Sequence, residues 1–345
     1  SLHDALPILI ISEVLVQPQA ITWLPWAVQY FFFIGISACA AIIACVARWI
    51  KSSHSAVFER HSLFIALTCG ITAPLALTAD LHQTARFWHF YAWPTPWSWM
   101  PWGALFLPLF TLLTGIWFAL FHLRNVTERY TPWMRWVALV TALTAVGLLL
   151  YTGREVSVVR ARPVWFSYWY PIIMFISAMS ALLAFLTMSI RDDSALTRLL
   201  AKYQMAILLL LGCIALAWYH GDSLSGVALR QQWQLAIGGQ AGMIMAIVMW
   251  SVAFTTSFYT SRYSPPVMIL LFNVVIVAGL CWLLRWELLI GGQTIPKYNA
   301  LENHYDLPLG TDGLLAIVGT FGLWFGLMVV VKECINWLTR RLKNA

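Results

Sequence analysis

Charged residues are scarce in this sequence, which has only 14 acidic and 21 basic side chains among its 345 residues. They make up 10% of the chain, and hydrophobic residues make up 61%. Soluble domains are about a quarter charged and about half apolar. The mean hydropathy of +0.75 is therefore incompatible with an ordinary soluble domain, and the composition predicts an integral membrane protein.

Paired metal-binding cysteines are lacking as well. The chain contains no C-x-x-C pair, and every cysteine lies inside or at the end of an apolar stretch. The six are Cys39, Cys45, Cys69, Cys213, Cys281 and Cys334. This spacing argues against iron–sulfur or zinc ligation by the chain and is typical of small buried side chains.

Histidines are missing from the interiors of the apolar stretches. A membrane cytochrome b needs two imidazoles that face each other at helix-interior depth. All eight histidines here fall at the ends of apolar stretches or between them. We therefore expect no haem, no iron–sulfur cluster and no metal site in this chain.

Apolar stretches long enough to cross a bilayer recur along the chain, since about 20 predominantly apolar residues suffice. We predict nine transmembrane helices, at 26–47, 63–79, 102–122, 136–152, 164–190, 203–219, 232–258, 266–284 and 314–331. No fixed-period repeat or low-complexity linker divides the sequence, so 1–345 is expected to be a single polytopic domain. The predicted fold class is an all-α integral membrane protein.

Basic residues are distributed unequally between the two ends of these spans. Fourteen Lys and Arg lie on the side of the loop that follows the first span, and seven lie on the opposite side. The positive-inside rule places the richer side in the cytoplasm, which predicts a periplasmic N-terminus and a cytoplasmic C-terminus. The net charge of +7 is thus explained by topology, and no nucleic-acid partner is expected beside membrane lipid.

Ionisable residues gather near the predicted outer ends of the spans. Each is a functional candidate, because charge at membrane depth is costly. Asp80, His82 and Arg86 follow the second span, and Arg154 with Glu155 ends the fourth. The sixth and eighth spans end in the same way, with His220, Asp222, Arg285 and Glu287. These positions favour one polar pocket at the outer rim; local pairing or snorkelling of each arginine is the alternative.

The outer pocket suits a quinol. A quinol ring is flat and apolar, which matches the tryptophan-rich stretch 88–102, although an interfacial anchor belt is the alternative for those tryptophans. Quinol oxidation releases two protons, and Asp80, His82 and Glu155 are able to accept them. Gln29 and Tyr30, early in the first span, reach the same depth; hydrogen bonding between helices explains them equally well.

Three short motifs carry a resemblance to a known family. They are Ala79-Asp80-Leu81, then Arg86-Phe87-Trp88-His89, then Trp97-Ser98-Trp99-Met100-Pro101-Trp102-Gly103-Ala104. This pattern resembles the membrane anchors of polysulfide reductase and formate-dependent nitrite reductase. Arg285 followed by Gly291-Gly292-Gln293 is similar to another turn of that family. Longer stretches, Asp80–Pro108, Tyr151–Val159 and Gly310–Trp324, carry a closer match to one branch of it.

The resemblance implies a fold and a function. The fold would be two four-helix bundles, with a ninth helix here, in a bacterial inner membrane. Such anchors hold no prosthetic group and bind menaquinol near the outer face. They pass electrons to a four-cluster iron–sulfur subunit, which feeds a periplasmic molybdopterin subunit. Some relatives have a histidine where this chain has Gln29 and Tyr30.

The candidate site therefore has two groups of residues. Proton acceptors are Asp80, His82 and Glu155, and candidate quinol contacts are Gln29, Tyr30, Arg86, Trp88, His89, Arg154 and Arg285. A secondary transporter is the main alternative, but such proteins place charges and broken helices at the midplane. A purely structural anchor, or the anchor of a polysulfide or nitrite reductase, is the other alternative.

Overall fold

The computed structural model of the protein describes residues 21–50, 52–81, 83–127, 133–235, 237–295 and 305–343. These ranges are helical throughout, with connecting turns and no β-strand. The principal helices are α1 (Pro25–Trp49), α2 (Ser55–Asp80), α3 (Met100–Thr127), α4 (Met134–Ser157), α5 (Trp169–Ser189), α6 (Ser194–His220), α7 (Leu224–Leu235), α8 (Ile237–Arg262), α9 (Val267–Trp286) and α10 (Leu314–Lys343). Within the described ranges, all of them except the short α7 are long and apolar enough to cross a membrane, which makes nine candidate spans.

Each predicted span overlaps one of these nine helices, so the predicted all-α membrane class is confirmed. Four helix starts differ from the prediction by five residues or more. The second and sixth helices begin earlier, at Ser55 and Ser194 rather than at 63 and 203, and two others begin later. The fifth span was expected from 164, but the helix begins at Trp169, because 164–168 form turns in which Trp165 N donates to Arg162 O at 3.0 Å. The seventh span was expected from 232, yet 232–235 belong to α7, which is polar and folds back on the end of α6.

The spans pack as two four-helix bundles. Helices α1 to α4 contact one another in one bundle, α5, α6, α8 and α9 form the other, and one hydrophobic core continues through both. The remaining helix, α10, lies against α1, α2 and α3. This arrangement is the one implied by the family resemblance, two bundles and one additional helix.

Helix α1 lies at the centre, in contact with α2, α4, α5, α9 and α10, and it is buried over most of its length. Small residues allow its closest contact, with α2. Ser37 Oγ donates to Ala66 O at 2.6 Å, and a Cβ added to Gly70 would lie only 2.9 Å from Ser37 Oγ. Close backbone approach through small residues is typical of helix pairs in membranes.

The two ends of the first bundle are chemically different. At the end where α2 begins, Arg48 forms a buried ion pair with Glu59, whose Oε1 also accepts from Trp117 Nε1 at 2.9 Å. This network joins α1, α2 and α3. The opposite end, where α2 finishes, is the Asp80 end of the bundle, and the candidate site lies there.

Candidate functional site

A cavity of about 380 Å³ opens at the Asp80 end of the first bundle. Its walls come from the start of α1, the end of α2, the start of α3 and the end of α4. Aromatic and aliphatic side chains form most of the lining, including Trp23, Phe31, Leu77, Phe87, Phe90, Tyr91, Met100 and Leu107. Such a mainly apolar cleft with a few polar groups is typical of a small-molecule site.

Polar side chains from α1, α2 and α4 converge on this cavity. Asp80 comes from the last residue of α2, Tyr30 from α1, and Tyr151 and Glu155 from α4. Tyr151 and Glu155 are one helical turn apart and so share a face of α4. Glu155 and Asp80 are close enough to interact electrostatically. Two carboxylates from different helices thus border one apolar space.

The Tyr30 hydroxyl is the most deeply placed of these groups. Tyr30 is 0% exposed, and its oxygen has no hydrogen-bond partner among the described residues. A buried polar atom without a partner is costly, at roughly 1–3 kcal/mol, unless water or a ligand satisfies it. The hydroxyl therefore provides a donor and acceptor for whatever fills the cavity.

Gly103 shapes the wall opposite α4. A Cβ added there would lie 2.0 Å from Tyr151 Cζ and 2.4 Å from the Tyr151 hydroxyl oxygen. Only glycine allows the tyrosine ring to lie against α3 at this point. The ring position, and with it the volume of the cavity, depends on this missing side chain.

The structure separates the predicted site residues into three groups. Asp80, Glu155 and Tyr30 line the cavity together. His82 lies outside the described residues. The other predicted residues lie at the rim of the cavity or away from it.

At the rim, Arg86 donates from Nη1 to Gln83 Oε1 at 2.8 Å, and both are exposed. Trp88 and His89 form an edge-to-face pair with ring centroids 4.2 Å apart. In the sequence they lie between Phe87 and Phe90, which do line the cavity. Arg154 lies over the Trp99 ring, with its Cζ 5.8 Å from the ring centroid.

Gln29 and Arg285 do not border the cavity; each joins helices instead. Gln29 is buried and donates to Ile317 O of α10 at 3.3 Å. Arg285 is 1% exposed and lies between the two bundles. Its guanidinium donates to Phe31 O at 2.9 Å and to Met174 O at 3.0 Å, so it joins α9 to α1 and α5.

The structure adds cavity residues that the sequence did not single out, above all Trp23 and Tyr151. Trp23 precedes the first predicted span, which begins at 26, and the sequence alone assigned it no role. Its position is set by Gln293, whose side chain binds the backbone of Thr22 and Trp23. The glycine-glutamine turn was noted in the sequence only as a family feature.

Arg162 lies in the turn between α4 and α5, and its side chain binds the backbone of the segment that contains Gln293. It is 7% exposed, and its Nη1 donates to Gln293 O at 2.8 Å and to Ile295 O at 3.1 Å. Burial lowers the pKa of the Arg162 guanidinium from its usual value.

Over the part of the chain that the structure describes, no group of three His, Cys, Asp or Glu side chains is placed to hold a metal ion.

The fold is that of a polytopic helical membrane protein with a mainly apolar cavity at one end of its first bundle. The chain belongs to the family described as polysulphide reductase, NrfD, which matches residues 13–297. It is 52% identical to the C subunit of tetrathionate reductase from Salmonella typhimurium, over 97% of this chain and 98% of that protein. It is 24% identical to the C subunit of selenate reductase from Mesobacillus selenatarsenatis, over 83% of this chain and 77% of that protein. The family predicted from the motifs is thereby confirmed, and the branch indicated by the longer matching stretches is that of the tetrathionate protein.

Proposed function

We propose that this chain is the membrane anchor of a reductase complex of the tetrathionate type, and that it oxidises quinol in the cavity at the Asp80 end. The observation that carries the proposal is the pair of carboxylates, Asp80 and Glu155, on the wall of an otherwise aromatic cavity. The similarity to the tetrathionate reductase protein supports the anchor role. Menaquinol is the quinol implied by the family resemblance.

The chemistry requires two different kinds of contact. A quinol has two hydroxyl groups, and its oxidation to the quinone releases two electrons and two protons. The aromatic walls take the ring, and Asp80 and Glu155 accept the protons as the O–H bonds break. The Tyr30 hydroxyl hydrogen-bonds to a quinol oxygen, which satisfies its otherwise unpartnered atom. The two electrons leave to a redox group in a partner subunit.

The family resemblance supports a further part of the proposal, which concerns the partners and the location. The electron acceptor is a four-cluster iron–sulfur subunit, and a molybdopterin subunit reduces tetrathionate on the periplasmic side of a bacterial inner membrane. The distribution of Lys and Arg supports a periplasmic Asp80 end, with the N-terminus outside and the C-terminus in the cytoplasm. A lateral site near that face keeps electron transfer to an outer partner short.

Isosteric neutralisation of the carboxylates tests the proposal. Asp80→Asn and Glu155→Gln keep side-chain volume but remove the proton acceptor, and loss of a base costs about 10²- to 10⁴-fold in rate. The complete complex is assayed in membranes with a menaquinol analogue, and in parallel with a reduced dye that feeds the partner subunits directly. Glu287→Gln is the matched control, because this carboxyl lies near Gln232 in the second bundle and does not line the cavity.

We expect quinol-driven tetrathionate reduction to collapse in both cavity variants, with dye-driven activity unchanged. The control should keep both activities. Parallel loss of both activities in Asp80→Asn would mean that the carboxylate serves assembly. Full quinol activity in both cavity variants, with loss in Glu287→Gln, would move the site to the second bundle.

A further inference from the structure

The backbone after α9 changes its helical period. Residues Glu287–Gly291 form a π-helical turn, followed by the short helix Gly292–Thr294. A π-turn interrupts the regular ladder of helical hydrogen bonds and often marks a functional position. Here the carbonyl of Glu287 accepts from Gln232 Nε2 at 3.0 Å, and that of Leu288 accepts from Trp165 Nε1 at 2.6 Å.

Two glycines in this turn make room for those donors. A Cβ added to Gly291 would lie 2.3 Å from Gln232 Nε2, and one added to Gly292 would lie 2.6 Å from Trp165 Nε1. Any other residue at either position would push the donor away from the backbone. The Gly-Gly pair is therefore required by the contacts of the turn.

Gln293, the next residue, reaches from the second bundle to the segment before α1. It is 2% exposed. Its Oε1 accepts from Thr22 N at 3.0 Å and from Trp23 N at 3.1 Å. Its Nε2 donates to Trp23 O and to Leu289 O, both at 3.1 Å. One amide thus binds both backbone N–H groups and one carbonyl of a two-residue segment.

Two neighbours hold this arrangement from the other side. Arg162 binds the carbonyl of Gln293 itself. The Trp165 ring lies against the Trp23 ring, with centroids 5.2 Å apart, and Trp23 in turn stacks on Phe31 at 5.8 Å. Thr22, Trp23 and Phe31 all line the cavity. A wall of the site in the first bundle is consequently held by residues outside that bundle.

We infer that Gln293, Arg162 and Trp165 form a clasp that positions the Thr22–Trp23 wall and thereby sets the affinity of the cavity for the quinol ring. Gln293 is a positioning residue, because it touches the wall and does not line the cavity. The inference rests on the proposed function and adds a specificity-determining element to it. It assigns the Gly-Gly-Gln turn a role in substrate binding rather than in chemistry.

The test is the quinol dependence of the complete complex carrying Gln293→Ala. Release of the wall weakens ring binding but leaves both carboxylates in place, so we expect the KM for a menaquinol analogue to rise about tenfold and kcat to stay within about twofold. Gln232→Ala is the matched control. It removes side-chain hydrogen bonds from the same π-turn, yet Gln232 touches neither Thr22 nor Trp23, so its KM should not change.

A double-mutant cycle distinguishes positioning of the Thr22–Trp23 wall by Gln293 from a general loosening of the protein structure. Trp23→Ala alone should raise KM, and adding Gln293→Ala should raise it no more than about twofold further, because both changes act through the same wall. If Gln293→Ala does not accumulate, Gln293→Asn replaces it in each comparison. Asparagine keeps the amide on a side chain that is one methylene shorter, so we expect a smaller rise in KM.

Three results overturn the clasp: an unchanged KM in the Gln293 variant, an equal rise in Gln232→Ala, or fully additive effects in the cycle. The unsubstituted complex reports separately on the proposed function. If it oxidises no quinol, both ideas fail. If the unsubstituted complex oxidises quinol and substitution of Gln293 leaves KM unchanged, only the clasp inference fails.

Discussion

Gly103→Ala is the most direct test of how the cavity is built. The added methyl carbon would lie 2.0 Å from Tyr151 Cζ, whereas ordinary van der Waals contact begins at 3.4 Å. The ring and the helix must therefore move apart by about 1.4 Å, a shift that overpacking typically makes costly by about 1–3 kcal/mol. The ring borders an open cavity, so it can yield by turning inward.

The expected consequence is a loss of function without a loss of fold. The displaced ring takes up cavity volume and moves the Tyr151 hydroxyl away from its place beside Glu155. Misplacement of a site group by about 1 Å costs up to about 10²-fold in rate. We expect quinol-driven activity to fall by about 10- to 100-fold, with dye-driven activity and the amount of assembled complex unchanged.

Gly115→Ala is the matched control on the same helix. The nearest neighbour of its added methyl is Leu67 Cδ1 at 3.9 Å, which is ordinary contact. Both changes also add the same helix propensity to α3. If Gly103→Ala behaves like Gly115→Ala in the quinol assay, the cavity at the Asp80 end is not the working site.

Other measurements test the remaining parts of the interpretation. The purified protein should give no pyridine haemochromogen signal, and a signal near one equivalent would refute the haem-free prediction. Reporter fusions after Lys202 should read cytoplasmic and fusions after Lys297 periplasmic; a periplasmic reading at Lys202 contradicts the topology. Arg285→Ala removes the guanidinium hydrogen bonds to Phe31 O and Met174 O that join α9 to α1 and α5, at about 1.5–3 kcal/mol each for bonds from a charged group, so protein level and both activities should fall together on immunoblot and assay. Normal accumulation with selective loss of quinol activity would instead place Arg285 in the site.

Hydropathy was sufficient to predict the membrane class and the number of spans, because a span is defined by length and composition alone. It also placed Asp80, Glu155 and Tyr30 correctly at one end of the molecule. The reason is that position along the sequence of a spanning helix translates directly into depth, at about 1.5 Å per residue. The motifs, in turn, identified the family.

Depth says nothing about which way a side chain faces or which helix lies beside it. Arg285 and Glu155 both end predicted spans near the same depth, yet packing places Glu155 on the cavity and Arg285 between the bundles. Gln29 and Tyr30 are adjacent in sequence, but successive helical residues point about 100° apart, so one meets α10 and the other the cavity.

The position of Trp23 in the cavity wall could not be predicted from any single helix. It is held by Gln293, about 270 residues away in sequence, through hydrogen bonds that exist only after the two bundles meet. Composition and periodicity describe each helix separately, and this contact belongs to neither helix alone. The sequence by itself determined the membrane protein, its spans and the depth of its polar ends. The packing of α1 against helices of both bundles decided which of those polar ends border the cavity.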